Sequence, residues 1–119
     1  MTADETQIRE TVLDYFEGWF DGDEARMERA LHPDLVKRSQ EAGRLAEIGA
    51  PDMLAATAAG RGRARDPGVR RIDVRVADVH GDIAAVVVDS NVYREYLHLV
   101  RTPGGWRIAN ALWDFAPDS

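Results

Sequence analysis

Apolar residues recur with a helical spacing in the first part of the chain. They stand three or four residues apart at Ile8, Val12, Tyr15 and Trp19, which places them on one face of an α-helix. The preceding letters TADE fit a capping box, in which a Thr and a Glu side chain satisfy free backbone N–H groups. The pattern therefore predicts helix 1 from the N-terminus to about Phe20, where the letters DGD end it.

Two shorter helices and one weakly patterned segment follow helix 1. Asp23 suits the start of helix 2, and Pro33 stops it, so the first two helices form a hairpin. Residues 35–49 are interpreted as an irregular pair of short strands. Pro51 fits the first turn of helix 3, which Gly60 ends. The small side chains of helix 3 permit close packing on a sheet.

After residue 71 the apolar period becomes two, which is typical of β-strands. Four strands are predicted, at about 70–80, 82–90, 93–102 and 105–115. The second of them, with the letters IAAVVVDS, is apolar on both faces, so we expect one face to contact the helices and the other a partner chain. The pattern predicts a single α+β domain over residues 1–119, with three helices on one face of a curved antiparallel sheet, and a homodimer.

Composition and charge exclude several classes of function. The formal net charge of −6 opposes attraction to nucleic acid or to an anionic membrane. The chain has no cysteine, which excludes disulfides, thiolate zinc sites and cysteine nucleophiles. Its histidines are scattered and it has no phosphate-binding loop or zinc-binding helix motif, so we expect no metal and no cofactor. An acidic N-terminus without an apolar run predicts a cytoplasmic protein.

Residues 61–71, here called the arginine-rich segment, reverse the local charge. They contain five arginines and one acidic residue, Asp66, among several glycines and a proline. One interpretation is a solvated, mobile loop between a helix and a strand. The other is an arginine clamp for an anionic ligand or for an acidic neighbouring subunit. The sequence leaves both open.

The last two predicted strands form a hairpin around Pro103 and Gly104. Counting back from this turn pairs His98 with Ala109 and Tyr96 with Ala111. One face then contains Tyr96, His98, Val100, Ala109, Ala111 and Trp113. This face mixes hydrogen-bonding groups with small side chains, which favours the wall of a ligand pocket. The opposite face, with Glu95 and large aliphatic residues, favours packing.

The segments YFEGWFDGDEARMERALHPDLVKRS and YREYLHLVRTPGGWRI resemble the nuclear transport factor 2-like superfamily, near its SnoaL-like and lumazine-binding-like branches. The resemblance covers nearly the whole chain. It implies a cone-shaped fold in which helix 1, helix 3 and the curved sheet enclose one apolar pocket, and it implies a dimer. This scaffold hosts isomerases, dehydratases, cyclases, epoxide hydrolases and noncatalytic binders, so it predicts the fold more sharply than the function.

The resemblance also implies candidate catalytic residues. Ketosteroid isomerases of this scaffold place a tyrosine oxyanion donor late in helix 1, where Tyr15 stands, and a second donor near the position of His98. Their aspartate base corresponds to a position near Ser39, and serine is no base. Polyketide cyclases use a histidine that His98 matches, with an acid on the last strand where this chain has Ala111 and Leu112. Both mechanisms therefore lack their carboxylate.

These considerations define the candidate site. The predicted catalytic residues are Tyr15, as a hydrogen-bond donor, and His98, as a general acid or base. The predicted ligand-binding residues are Trp19, Arg38, Ser39, Tyr96 and Trp113. Each has a structural alternative: the aromatic residues and His98 as packing residues, and Arg38 as a solvated cation. Glu95 is predicted on the face opposite His98, as a structural or interfacial ion-pair partner.

Three functions fit this site. The first is a binding protein for a hydrophobic or aromatic small molecule, with a mainly apolar pocket between helices and sheet. The second is a proton-transfer enzyme of the isomerase, dehydratase or cyclase type that acts on a carbonyl-containing or polycyclic substrate. This enzyme requires that His98, or a carboxylate assigned to the wrong face, supplies the base. The third is a dimeric interaction module with a filled pocket.

Overall fold

The structure is a computed structural model that describes residues 2–117. Its helices are α1 (Ala3–Asp21), α2 (Glu24–Ala30) and α3 (Ala50–Ala58), and a 3-10 turn covers Arg63–Arg65. Its strands are β1 (Leu31–Glu41), β2 (Arg44–Gly49), β3 (Ile72–His80), β4 (Ile83–Ser90), β5 (Tyr93–Thr102) and β6 (Gly105–Phe115). The three predicted helices and the four late strands are confirmed. Within residues 2–117, no helix is both long and apolar enough to cross a membrane.

The weakly patterned segment forms a regular hairpin. β1 and β2 pair antiparallel across a two-residue turn, in which Ala42 and Gly43 have φ angles of 49° and 77°. Two successive positive φ angles match the right-handed twist of the strands that they connect, and Gly43 adopts its angle without a side-chain clash. The strands are longer than the sequence suggested, because β1 begins directly at the end of α2.

All six strands form one sheet in the order β2-β1-β6-β5-β4-β3. The four late strands form the predicted antiparallel meander. β1 lies parallel to β6, which makes the sheet mixed, whereas the sequence predicted a purely antiparallel one. The difference arises because the last strand of the meander, β6, comes to lie beside β1, which precedes the meander in the chain. No local sequence pattern indicates such a long-range pairing.

The helices cover one face of this sheet, which we call the inner face; the opposite one is the outer face. The predicted stripe on α1 is buried at Ile8, Val12 and Tyr15. It packs against the inner faces of β4, β5 and β6, which contribute Val86, Val88, Leu97, Leu99, Trp106 and Ile108 to the core. The Thr11 hydroxyl donates to the Trp106 carbonyl at 3.0 Å and so fastens α1 to β6.

Both ends of α1 have the caps that the sequence suggested. The Thr2 side chain accepts a hydrogen bond from the Glu5 N–H at 3.1 Å. Gly22 ends the helix with a φ angle of 68°, which favours glycine, and α2 follows after Asp23, whose side chain accepts from Arg26 N–H. These caps fix the length of α1 and therefore the depth at which its aromatic end enters the core.

A β-bulge overturns the predicted pairing of the last hairpin. The register near the turn is as expected, with Val100 opposite Arg107, but it shifts between His98 and Leu99. His98 therefore pairs with Asn110 instead of Ala109, and the bulged residue is Ala109. Since one extra residue reverses the facing of every position beyond it, the predicted grouping of β6 side chains with His98 was wrong.

Candidate functional site

Three polar side chains meet inside the apolar core, and we call them the inner triad: Tyr15 on α1, Lys37 on β1 and Glu95 on β5. The Tyr15 hydroxyl donates to Glu95 Oε1 at 2.8 Å, and Lys37 Nζ donates to the same hydroxyl. Lys37 Nζ lies 3.8 Å from Glu95 Oε1. Tyr15 and Glu95 are each 2% exposed and Lys37 is 8% exposed. The triad is thus a nearly dry network with the phenol at its centre.

Strand register explains why these three residues meet. The alternation of β1 turns Lys37 and Ser39 towards the inner face, and their partners on β6 are Ala111 and Trp113. Glu95 on β5 is in turn opposite Trp113. Lys37 and Glu95 therefore stand on the two strands that flank β6, and Tyr15 reaches them from the helix above.

Aromatic rings surround the Lys37 ammonium group. Nζ lies 5.0 Å from the ring centre of Tyr15, 5.8 Å from that of Trp19 and 5.4 Å from that of Trp113. At these distances the π faces attract a cation, and more strongly where water is excluded. Trp19 is held in place because its Nε1 donates to the Tyr93 hydroxyl at 2.9 Å. Lys37 therefore occupies a three-sided aromatic cage that also contains a carboxylate.

Burial shifts the pKa values of all three groups. It raises the pKa of Glu95, against the lowering effects of the Lys37 charge and the Tyr15 hydrogen bond. It lowers the pKa of Lys37, against the raising effect of the Glu95 charge. Burial and the neighbouring Glu95 carboxylate raise the pKa of Tyr15 well above its usual value. The proton affinities of Lys37 and Glu95 thus approach each other, while Tyr15 stays protonated between them.

The arginine-rich segment packs over the aromatic end of the site. The Arg65 guanidinium lies 4.6 Å from the ring centre of Phe115, which contacts Trp113 and Tyr93. Arg70 pairs with Asp21 at 2.7 Å and with Asp66 at 2.9 Å. The segment is therefore anchored to the domain at several points. Its predicted role as a clamp for an external anion stays a prediction.

The predicted site residues divide between the two faces of the sheet. Tyr15, Trp19, Ser39 and Trp113 lie on the helix side, where the inner triad is located. Ser39 is 8% exposed, and its hydroxyl donates to Glu41 Oε1 at 3.4 Å. These four residues surround a common region, although sequence reasoning assigned them partners on the opposite side.

Arg38, Tyr96 and His98 lie on the outer face, away from Tyr15. Arg38 pairs with Glu47 at 3.0 Å, and Tyr96 is 50% exposed. The Tyr96 and His98 side of β5 was predicted to form the pocket wall, but the helices cover the opposite side, which contains Leu97 and Leu99. The expected approach of His98 to Tyr15 is therefore corrected. Helices pack on the aliphatic face of a sheet, so a pocket between helices and sheet must lie on that face.

Sequence reasoning missed Lys37, whereas it placed Glu95 correctly on the face opposite His98. Of the fifteen basic residues, fourteen are arginines and Lys37 is the single lysine. Two features of the sequence could have indicated Lys37. It is the single lysine of the chain, and the alternation of β1 turns its side chain towards the inner face. Glu95 was assigned to a structural or interfacial ion pair, and it does pair, with Lys37 inside the core. The predicted aliphatic packing face thus contains a buried carboxylate.

Open hollows lie along the outer face of the described sheet, and two of them border predicted site residues. One of about 380 Å³ is lined by His80, Ile83, Ala85, His98 and Asn110, among others. The other, of about 750 Å³, is lined by Leu45, Tyr96, Leu112, Phe115 and further residues near the end of β6. Among residues 2–117, no group of three His, Cys, Asp or Glu side chains is placed to hold a metal ion.

Several solved structures share the overall fold of this chain. A nuclear transport factor 2-like protein of unknown function from Silicibacter pomeroyi has a TM-score of 0.75 and 18% identity, covering 98% of this chain and 100% of its own. A "putative ketosteroid isomerase" from Shewanella frigidimarina has a TM-score of 0.65 and 15% identity, covering 94% and 98%. A "putative aromatic ring hydroxylase" from Novosphingobium aromaticivorans has a TM-score of 0.69 and 14% identity, covering 94% and 88%.

At these identities the likeness establishes the fold alone, and the fold is nuclear transport factor 2-like. Within this superfamily, the chain belongs to the family described as "Putative lumazine-binding", whose model matches residues 3–114. No curated protein matches the chain significantly. The resemblance seen in the sequence is therefore confirmed, together with the cone-shaped arrangement of three helices on a curved sheet.

Proposed function

We propose that the protein binds a hydrophobic or aromatic small molecule at the inner triad, beneath the aromatic end of α1. The observation that carries the proposal is the burial of a lysine and a glutamate among aromatic rings. Such a site offers flat apolar surfaces together with a cation, a carboxylate and a phenol at known positions. This is the usual composition of a site that orients a small polar-headed aromatic ligand.

Folding alone gives little reason to retain this arrangement. Removing two charges from water costs several kcal/mol per ion, and well-packed apolar residues in their place are often neutral or stabilising by about 1–4 kcal/mol. The cage of three rings recovers part of that cost through cation–π attraction. A polar centre that the core does not need for stability favours a role in recognition.

Lys37→Met should weaken ligand binding, and because it also leaves Glu95 buried without its cation, binding is compared under conditions where circular dichroism shows the variant folded. Methionine has a similar length and no charge, so it removes one charge-assisted contact, which is worth about 1.5–3 kcal/mol, or roughly 10- to 150-fold in the dissociation constant. The measurement is quenching of tryptophan fluorescence on titration with lumazine and with acetophenone. Trp19 and Trp113 make the signal local, because both rings face Lys37.

The matched control is Arg38→Met, one residue along the same strand on the outer face. It removes an equal charge, and we expect it to leave the titration unchanged. Equal weakening by both substitutions would contradict binding at the inner triad. It would instead support the sequence-based prediction that Arg38 binds the ligand.

Proton-transfer catalysis is a second candidate, favoured by the contact between Glu95 and the Tyr15 hydroxyl. A carboxylate in an apolar setting has a raised proton affinity, which suits a general base. A phenol beside it suits stabilisation of a developing oxyanion. A carboxylate is thus available next to Tyr15, at a position different from those that the isomerase and cyclase mechanisms use.

We also propose that the protein is a homodimer through the outer face of its sheet. Ala84, Val86 and Val88 of β4 belong to the core, which leaves Ile83, Ala85 and Val87 on the outer side. Ile83 is 56% exposed, and Leu112 on the same face is 49% exposed. An apolar outer face of this kind is typical of a protein interface. A cytoplasmic location stays a prediction.

Val87→Lys is expected to convert the dimer to a monomer. Val87 stands mid-strand between its partners Arg75 and Tyr96, so a new cation would be buried in the interface directly beside the Arg75 cation. Sedimentation velocity measures the change. Glu28→Lys, on the exposed side of α2, is the control and should sediment as the parent does. An unaltered sedimentation coefficient for Val87→Lys would place the interface elsewhere.

A further inference from the structure

The choice of lysine at position 37 is chemically distinctive. The other fourteen basic residues are arginines, and they supply the cations of surface ion pairs such as those with Asp14, Glu47 and Asp4. Arginine is the better residue for a buried ion pair, because its guanidinium stays charged and forms several hydrogen bonds. A lysine can release its proton and become a nucleophilic amine, which an arginine cannot do under these conditions.

Burial of Lys37 favours that amine, against the attraction that the Glu95 charge and the three rings exert on the ammonium form. Its Nζ has a hydrogen-bonding partner in Tyr15 and otherwise faces the rings of Tyr15, Trp19 and Trp113. Desolvation in an apolar pocket is one of the recognised ways to activate a lysine nucleophile. The Glu95 carboxyl group lies 3.8 Å away, close enough to hold the proton that the amine releases, with the Tyr15 hydroxyl between them.

We infer that Lys37 forms an imine with a carbonyl ligand, an aldehyde or ketone joined to an aromatic or apolar group, inside the inner triad. The inference rests on the proposed function, because it requires that a ligand enters this site. About a tenth of the Lys37 side-chain surface remains exposed. The three rings around Nζ would receive the flat part of the ligand.

The reaction balances with the residues present and the ligand. The neutral amine nitrogen attacks the carbonyl carbon, a carbon–nitrogen bond forms, and one amine proton moves to the former carbonyl oxygen to give a carbinolamine. The protonated Glu95 carboxyl donates its proton through the Tyr15 hydroxyl to the departing oxygen, which leaves as water. The resulting iminium nitrogen returns its proton to the Glu95 carboxylate. The sum is amine plus carbonyl giving imine plus water, with no change of oxidation state.

A purely structural ion pair predicts different behaviour. In that case Lys37 would remain protonated at neutral pH and would react with carbonyl compounds no faster than a free lysine side chain. An ordinary lysine, with a pKa of about 10.4, has about one neutral amine in 2,500 at pH 7. Reactivity at neutral pH therefore separates the two roles.

The test is reductive trapping in the full chain. The protein is incubated at pH 7 with 4-methoxybenzaldehyde and sodium cyanoborohydride, and the products are identified by intact mass and peptide mapping. Because Lys37 is the only lysine, the single competing amine is the N-terminal one. We expect one adduct at Lys37, formed about 100-fold faster than with N-acetyl-lysine amide, and with a rate that reaches half its maximum at a pH below the ordinary lysine pKa.

Two variants complete the experiment. Lys37→Arg should give no adduct at this position. Glu95→Gln retains the amine but removes the proton acceptor, and it should form the adduct about 10-fold more slowly at a pH where the amine is neutral in both proteins. If 4-methoxybenzaldehyde quenches the tryptophan fluorescence of the parent but leaves Lys37 unmodified, the imine is refuted and binding at the triad stands. If lumazine, acetophenone and this aldehyde all fail to quench and no adduct forms, the proposed function fails as well.

Discussion

Glu95→Leu is expected to lower the free energy of unfolding by about 3–5 kcal/mol at pH 7, because it leaves the Lys37 ammonium buried without its carboxylate. The lysine can escape part of this cost by releasing its proton. The free energy of deprotonating the lysine at pH 7 is at most about 4.6 kcal/mol, as calculated from the ordinary lysine pKa of about 10.4. Urea unfolding followed by circular dichroism measures the loss.

The triple variant Lys37→Met, Glu95→Leu and Tyr15→Phe is the matched control. It replaces the whole inner triad by apolar side chains of similar size and leaves no orphaned hydroxyl or charge. We expect its free energy of unfolding to lie within about 1 kcal/mol of the parent value or above it. A triple variant that is as unstable as Glu95→Leu alone would show that the triad is a structural requirement of the core.

The pH dependence of the same comparison has a definite sign. Burial lowers the pKa of Lys37, and loss of the Glu95 charge removes the effect that opposes this lowering. Between the folded-state pKa and the ordinary value of 10.5, the unfolded Glu95→Leu chain therefore binds more protons than the folded one. Its free energy of unfolding should rise with pH through this window relative to the triple variant, which lacks Lys37.

Gly62→Ala should detach the arginine-rich segment from the aromatic end of the site. A Cβ atom at this position would lie 2.1 Å from the Trp19 carbonyl oxygen and 2.5 Å from the indole ring. Gly62 has an ordinary φ angle of −70°, so the effect is one of space and not of backbone strain. We expect a loss of about 1–3 kcal/mol in the free energy of unfolding, the typical cost of overpacking. Tryptophan emission should shift to longer wavelength as Trp19 becomes exposed.

Gly104→Ala is the control for this substitution. Its added Cβ would lie 3.0 Å from the end of the flexible Arg107 side chain, which can move aside. Its effect should stay within about 0.5 kcal/mol, as for most surface changes. Should Gly62→Ala match this control in both stability and emission, the segment does not pack on Trp19 in solution, and its role as a cover for the site would be untenable.

The sequence predicted the fold well because its signals are local. The helical spacing on α1, the Thr2 cap and the two-residue periods of the meander each appear within a few neighbouring residues. The parallel pairing of β1 with β6 escaped prediction, since it joins segments that are far apart in the chain. The same pairing aligns Lys37 with Ala111, so the triad depends on the part of the fold that was missed.

The site was predicted less well, for two physical reasons. The bulge at Ala109 has no glycine or proline to signal it, yet it moves Trp113 to the face of Glu95 and away from that of His98. The second reason concerns β5. Because His98 and Tyr96 can form hydrogen bonds and Leu97 and Leu99 cannot, the pocket was predicted on the exposed side of this strand. Tyr15, Trp19, Ser39 and Trp113 nevertheless lie on the helix side, as expected of a pocket that α1 would cover.

Binding at the inner triad can be tested by native mass spectrometry of the protein purified from its own host, with the Lys37→Met variant beside it and a denatured sample of each. We expect a retained small molecule in the parent that is lost on denaturation and strongly depleted in the variant. A ligand that the Lys37→Met variant retains at the level of the parent would contradict binding at the inner triad and would move the search to the outer face of the sheet.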